Sequence, residues 1–440
     1  MLAADFEGKG RAVPSGRLSR LGAFGRMAGG VAGGVMAEGA RRLAAGERPQ
    51  MSELLLTPAN VTRVTDQLSN LRGAAMKLGQ MISMDAGDIL PKELTDILSR
   101  LRNQAYHMPP AQLQMVLAAQ WGKDWRKRFT RFGASPIAAA SIGQVHKALT
   151  LDGRELAVKV QYPGVRKSID ADVDNVATLL RISGLLPKAL DIAPLLVEAK
   201  RQLHEEADYV REGEQMTRFA ALLADAPQFV VPALDTEFSG DRVLAMSFVA
   251  GSSIESLVDA PQDERDRVMH HLIELVQREL FEFGVMQTDP NFANFRYQSD
   301  TGRLVLLDFG AVRAVDPATA HGYRALLMAG LDNDSDAARA AAVKAGFLND
   351  LTAIRHRSAI DRMIDVVMAE MNKPGPFDFG DRAFVTVLRD QGMEIAEDRD
   401  AWHIPPVDTL FVQRKISGTA LLAARLKARV DVRAMVATLR

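Results

Sequence analysis

Residues 283–313, FGVMQTDPNFANFRYQSDTGRLVLLDFGAVR, constrain the fold more than any other stretch of this chain. The apolar run 304–307 has the length of a buried strand and leads directly into Asp308, Phe309 and Gly310, so a carboxylate stands at a strand end. A second short extended run precedes it, and the polar residues 299–303 supply the turn between them. Asp289 and Asn294 lie just upstream, so a strand-loop-strand unit gathers the oxygen-bearing side chains of Asp289, Asn294 and Asp308. Magnesium prefers hard oxygen ligands, and a phosphate chain needs its charge neutralised. Two such oxygens beside a carboxylate base therefore suit phosphate chemistry.

The order Asp-x-x-x-x-Asn followed by Asp-Phe-Gly matches the protein-kinase pattern of a catalytic-loop Asp, a metal-binding Asn and a second metal-binding Asp. A bare Asp-Phe-Gly says little, since any strand can end in an acid and a turn glycine. A second copy at 378–380 follows Pro374 and Pro376 without a strand pattern before it and reads as coincidence. The weight must come from the N-terminal half.

There, residues 145–151 and 155–160 read as a hairpin about Asp152 and Gly153. Lys159 lies late in the second strand, within Ala157-Val158-Lys159-Val160, which resembles the third-strand lysine motif of kinases. Where kinases carry a glycine-rich loop, this chain has Ala138, Ala139, Ala140, Ser141, Ile142 and Gly143. Methyl groups narrow the allowed backbone angles and block close approach to a phosphate, so nucleotide handling is expected to differ from that of ordinary kinases. Residues 192–219 read as one long helix bearing Glu205, Glu206, Asp208 and Glu212. A kinase needs one glutamate there to hold the strand lysine, and composition does not choose among these acids. Residues 243–249 read as a strand in the place of the hinge, where the backbone at Met246 and Phe248 would meet adenine.

Ahead of the strands the pattern is helical. Apolar residues recur at three- and four-residue steps over 58–86, a stretch that contains Lys77 and Gln80, and 93–101 and 110–121 read as further helices. Residues 1–50 begin polar and basic, then space glycines at Gly25, Gly29 and Gly33. Such spacing lets helix backbones approach, which suits a homodimer contact or a membrane-adsorbing helix, the alternative being a flexible Gly/Ala linker. The uncharged run 27–37 is about half the length needed to span a bilayer. At the other end, 409–439 carries repeated Arg and Lys and reads as a surface-packed amphipathic helix. With 440 residues, 47% of them apolar, the chain can build two lobes, and a formal charge of -1 with few aromatics speaks against nucleic acid. The absence of cysteine excludes disulfides, thiolate zinc sites and a thiol nucleophile, and the eight histidines are too scattered for a metal site.

Taken together, Lys77-x-Gly79-Gln80, 138–143, Lys159, Glu206-x-Asp208, Asp289 to Asn294 and Asp308 resemble the UbiB (ADCK-type) family of atypical kinases, its mitochondrial ubiquinone-biosynthesis branch and their bacterial relatives. The resemblance implies an α+β, two-lobed protein-kinase-like fold with a helical N-terminal extension that carries the Lys-x-Gly-Gln motif. Its expected parts are a Gly/Ala-rich, membrane-associated segment (1–50), the helical extension (51–128), an N-lobe (129–250) and a C-lobe with C-terminal helices (251–440). By the same resemblance Lys159 contacts the nucleotide phosphates and pairs with Glu212, Asn294 and Asp308 ligate Mg2+, and Asp289 is the catalytic carboxylate. Residues 138–143, with Met246 and Phe248, hold ATP or ADP. Lys77, Gln80, Glu206 and Asp208 form a gate, with Lys77 near Glu206. The implied activity is a Mg-ATP-dependent ATPase that supports ubiquinone (coenzyme Q) biosynthesis and responds to membrane lipid or phenolic precursors. The alternatives are a nucleotide-binding lipid scaffold without catalysis and a small-molecule or lipid phosphotransferase. Partners would be lipid, phenolic ubiquinone precursors and other ubiquinone-biosynthesis proteins. The place would be the cytoplasmic side of a bacterial inner membrane, or the mitochondrial matrix side. Gln287 and Thr288 stand where common kinases have His-Arg, and no lysine follows Asp289 in the loop, so slow turnover is expected.

Overall fold

A computed structural model of the chain describes residues 41, 73–75, 77, 108–182, 192–396, 398 and 405–440. The glycine-spaced segment, the helix expected over 93–101 and Gln80 lie outside these residues. Of the helix expected over 58–86, Gly73, Ala74, Ala75 and Lys77 are described, and they are helical. The chain divides into two units, Met1–Thr217 with Ala233–Val249, and Arg218–Pro232 with Ala250–Arg440.

In the first unit, helix α1 (Pro110–Trp121) starts on a proline, which has no N–H to leave unpaired, and stops at Gly122, whose φ of 87° suits glycine alone. Strands β1 (Phe129–Phe132), β2 (Ala138–Ala139), β3 (Gly143–Thr150), β4 (Glu155–Gln161) and, beyond β5 (Phe229–Val230) of the second unit, β6 (Val243–Ser247) form an antiparallel sheet in the order β1-β3-β4-β6, with β2 on β3. Side chains alternate along β4. Val158 and Val160 are fully buried in a core with Leu113, Val116 and Leu117 of α1 and with Trp125, Phe129 and Phe238, which leaves Lys159 to the opposite face. Pairing of Lys159 with Val145 on one side and Leu244 on the other sets it mid-sheet.

Three helices follow, α2 (Val165–Ile182), α3 (Ala193–Glu206) and α4 (Tyr209–Leu222). The single helix expected over 192–219 is therefore broken. The Ala207 N–H still returns to the Leu203 carbonyl at 3.0 Å, but the Asp208 carboxylate accepts the Arg211 N–H at 3.1 Å and starts a new helix. A short acidic side chain competes for backbone N–H groups in a way that apolar periodicity does not record. Strand β6 also ends earlier than expected, at Ser247.

In the second unit, β7 (Ser252–Ser253) leads to α5 (Gln262–Arg278), which continues into a π-helical turn, Glu279–Phe283, closed by Gly284 at φ 63°. Strand β8 (Val285–Gln287) follows, then the hairpin β9 (Phe295–Gln298) and β10 (Arg303–Leu306), then β11 (Val312–Ala314). The sheet order is β5-β10-β9-β7, and the parallel pairing of β5 with β10 explains why 218–232 belong with this unit. Strand β8 pairs with β11. Helices α6 (Pro317–Leu331), α7 (Ser335–Lys344), α8 (Asp350–Arg355), α9 (Arg357–Met371), α10 (Ala383–Ala396) and α11 (Val407–Leu426) complete the unit together with α12 (Val432–Ala437) and the pair β12 (Phe377–Asp378) and β13 (Arg429–Val430). The C-terminal run is thus two helices around a short strand. It is not purely surface-packed either: Phe411, Val412, Lys415, Leu422 and Leu426 of α11 are buried, Phe411 and Val412 in a core with Val276, Leu280, Met286 and Tyr323.

Candidate active site

In the first unit the Lys159 ammonium donates to both carboxylate oxygens of Glu212, at 2.8 and 2.9 Å. The two side chains are 10% and 1% exposed. Of the acids that the sequence left open, Glu212 is the one that meets the strand lysine, from the first turn of α4. Asp208 caps that same helix. Glu206, at the end of α3, has a different pair of partners: it accepts from Lys77 Nζ on one oxygen and from Ser141 Oγ on the other, both at 2.5 Å. Glu205 is half-buried, and burial pushes its carboxyl up, opposed by Arg201. Gly73 lies so close to the alanine loop that an added Cβ would stand 3.1 Å from the Ser141 carbonyl oxygen. The helical stretch with Lys77 therefore rests on the loop and is tied to it through a shared carboxylate.

The loop itself is a tight turn. Ala138 and Ala139 pair with Val145 and Gln144, and the Ala140 N–H donates to the Gly143 carbonyl at 2.9 Å. Its lone glycine has a packing reason: a Cβ on Gly143 would come within 2.5 Å of the Val160 carbonyl oxygen and 2.8 Å of Tyr209 Oη. Met246 lies in β6 and is buried, opposite Ala157. The Phe248 N–H donates to the Glu155 carbonyl at 2.8 Å and is therefore already engaged within the sheet.

In the second unit, Asp289, Asn294 and Asp308 are all half-buried. Leu306 pairs with Phe295 across the hairpin, and the Leu307 N–H donates to the Asn294 carbonyl at 3.0 Å, so Asn294 and Asp308 emerge at the same end of it. The Asn294 amide reaches the Asp289 carbonyl at 3.4 Å, and an Asp289 carboxylate oxygen accepts the Asn291 N–H at 3.3 Å. Asp308 accepts the Gly310 N–H at 2.9 Å, while Phe309, 1% exposed, packs against Phe219 at 5.2 Å between ring centroids. Asp378 repeats the turn, with the Gly380 N–H at 2.8 Å, but its other oxygen is occupied by the Arg429 guanidinium at 3.2 Å.

Glu279 and Lys415 were not singled out by sequence reasoning. Their side chains are 1% and 3% exposed, with Lys415 Nζ 3.2 Å from Glu279 Oε2. Lys415 also donates to Gln287 Oε1 at 3.2 Å, and Glu279 Oε1 accepts the Gln287 N–H at 3.2 Å. Burial pushes the Glu279 carboxyl up, and the Lys415 ammonium opposes that rise. A signal was present: Phe411, Lys415, Gly418 and Leu422 recur at helical spacing, which puts Lys415 inside the apolar stripe.

The sequence pattern of the ABC1 atypical kinase-like domain matches residues 100–342. Over 429 residues the chain is 38% identical to the protein named atypical kinase COQ8, mitochondrial, of Saccharomyces cerevisiae, covering 96% of this chain and 84% of that one. It is likewise 38% identical over 429 residues to atypical kinase COQ8B, mitochondrial, of Rattus norvegicus, with 96% and 80% covered. Among solved structures it is similar to Rv3197 of Mycobacterium tuberculosis, determined in complex with erythromycin, with a TM-score of 0.59 and 27% identity over 84% of this chain and 93% of that one.

Proposed function

The chain belongs to the ABC1 atypical kinase-like family and has an α+β kinase-like fold, and from that premise we propose that it turns over ATP with magnesium in support of ubiquinone biosynthesis. The observation that carries this reading is the buried Lys159–Glu212 pair. Apolar residues of similar volume would serve stability as well as a buried ion pair does, so a cation kept in a sheet interior is best accounted for by an anionic ligand. Lys159 would hold phosphate oxygens, with Glu212 fixing where its ammonium points.

Asn294 and Asp308 offer hard oxygens at one end of a hairpin, the donor set expected for a magnesium ion that arrives with its nucleotide. Such an ion neutralises charge on the phosphates during transfer. Asp289 would be the carboxylate that orients and accepts a proton from the attacking water or hydroxyl. Residues 138–143 would cover the phosphates, with adenine at the end of β6. The Lys77–Glu206–Ser141 contact supports a gate, with Gln80 and Asp208 as its further members. A lipid or phenolic ligand that favours the released state would raise turnover by shifting the population. The mitochondrial names of the relatives support the mitochondrial alternative for its place, and no helix among the described residues is long and apolar enough to cross a membrane.

The test is magnesium-dependent ATP turnover by native protein and by Asp308→Asn, with and without anionic vesicles and a phenolic mimic of a ubiquinone precursor. Turnover that rises with the additives and is lost in the variant is the expected result. Nucleotide binding without turnover would establish a scaffold instead. Labelled phosphate recovered in lipid or phenol would make the chain a phosphotransferase.

A further inference from the structure

Helix α11 lies outside the matched stretch 100–342, yet it touches the catalytic loop and its supports along one face. At Gly418 an added Cβ would stand 2.1 Å from Pro290 Cβ, so the helix backbone abuts the residue that follows Asp289. One turn earlier, Lys415 reaches Glu279 and Gln287. One turn earlier again, the Phe411 ring lies 5.3 Å from the Arg313 guanidinium, on the strand that pairs with β8. Positions three and four apart share a helix face, so these contacts act together.

Their combined effect falls on residues 287–290. Gln287 is held through its N–H by Glu279 and through its side-chain oxygen by Lys415. Thr288 donates to the Ala311 carbonyl twice, from its N–H at 3.1 Å and its hydroxyl at 2.8 Å. Pro290 is blocked by Gly418. Asp289 lies between anchored neighbours. Glu279 itself sits in a π-helical turn, an irregularity that recurs at functional sites. A buried ion pair offers little stability over apolar packing, so the cost of burying Lys415 is explained by what it holds in place.

We propose that Lys415 is a positioning residue for the reaction: through Glu279 and Gln287 it sets the catalytic loop that carries Asp289, which makes the C-terminal helix part of the catalytic apparatus. This rests on the ATP-turnover reading above. A misplacement on the order of 1 Å can cost about 100-fold in rate, so loss of one such tether is expected to be visible in kcat.

The experiment compares thermal unfolding, kcat and KM for Mg-ATP in the full chain and in three variants. Lys415→Met strands a buried carboxylate and is expected to lower both Tm and kcat. Lys415→Met combined with Glu279→Gln removes both charges and retains an acceptor for the Gln287 N–H. It is expected to recover most of the Tm while kcat stays down about tenfold with KM little changed. Gln287→Leu removes the same hydrogen bond from its other end, leaves the ion pair intact, and is expected to show the same loss of kcat. If the double variant regains kcat along with Tm, or if Gln287→Leu keeps native kcat, Lys415 is structural only and the inference is overturned. A native chain that shows no magnesium-dependent turnover overturns the ATP reading, and the inference with it.

Discussion

At the scale of single residues, a lysine in the middle of a strand was visible in the sequence because it interrupts an otherwise apolar run, Ala157-Val158-Lys159-Val160. Its partner was not legible from spacing, and only the family resemblance named it as Glu212. Four acids crowd positions 205–212 of the following helical segment, and their spacing alone gives each a similar claim. Only the backbone trace separates them: Glu206 closes one helix and faces Lys77, whereas Glu212 opens the next and faces Lys159. Removing the Glu212 charge would take from the nearly buried ammonium a carboxylate that accepts from it through both oxygens. For Glu212→Gln we expect a loss of about 3–5 kcal/mol in stability by denaturant titration. Because Lys159 would also lose its fixed direction, turnover is expected to fall about 100-fold. Gly143 shows the opposite limit of sequence reading. It resembles the remnant of a phosphate loop, but a neighbouring carbonyl and the Tyr209 hydroxyl are what exclude a side chain there.

At the scale of elements, the legible parts were those whose signals are local. Helix α1 is bounded by a proline and a glycine, and the β3–β4 hairpin turns near Gly153, whose φ of 86° a glycine adopts without strain. The hairpin that brings Asn294 and Asp308 to one end was readable from a short apolar run and its turn. The break between α3 and α4 was not, because it depends on one carboxylate capturing a backbone N–H. Asp208→Ala removes that cap, and about 1 kcal/mol of stability is expected to go with it, measurable as a lower denaturation midpoint with an unchanged slope. If the midpoint holds, the break has another origin. The same limit hid the cluster of Lys415, Glu279 and Gln287. Repeated cations in 409–439 suggested a solvated surface and masked the place of Lys415 in the apolar stripe, while the identity of its partners, more than a hundred residues upstream, leaves no mark in local periodicity.

For the whole molecule, the first unit runs to Thr217 and takes up again at Ala233–Val249, while 218–232 belong with the second unit, whose sheet they join across a long stretch of sequence. Long-range pairing of so short a strand, β5, is beyond local pattern. The C-terminal residues are as much a part of the second unit as its sheet is. Deleting 405–440 takes Phe411 and Val412 from its core, and the shortened chain is expected to unfold at lower temperature and to show no turnover. Retained turnover would confine the catalytic apparatus to the matched stretch. The interruption at Ala207 and Asp208 also has a mechanical consequence. Glu206 and Glu212 are only six positions apart, and in one continuous rod any tug on the first would be transmitted to the second. Set on separate rods with a joint between them, they are insulated: under the proposed gating, Lys77 would let go of its carboxylate while the grip on Lys159 stayed undisturbed, and access and chemistry would be adjusted one at a time.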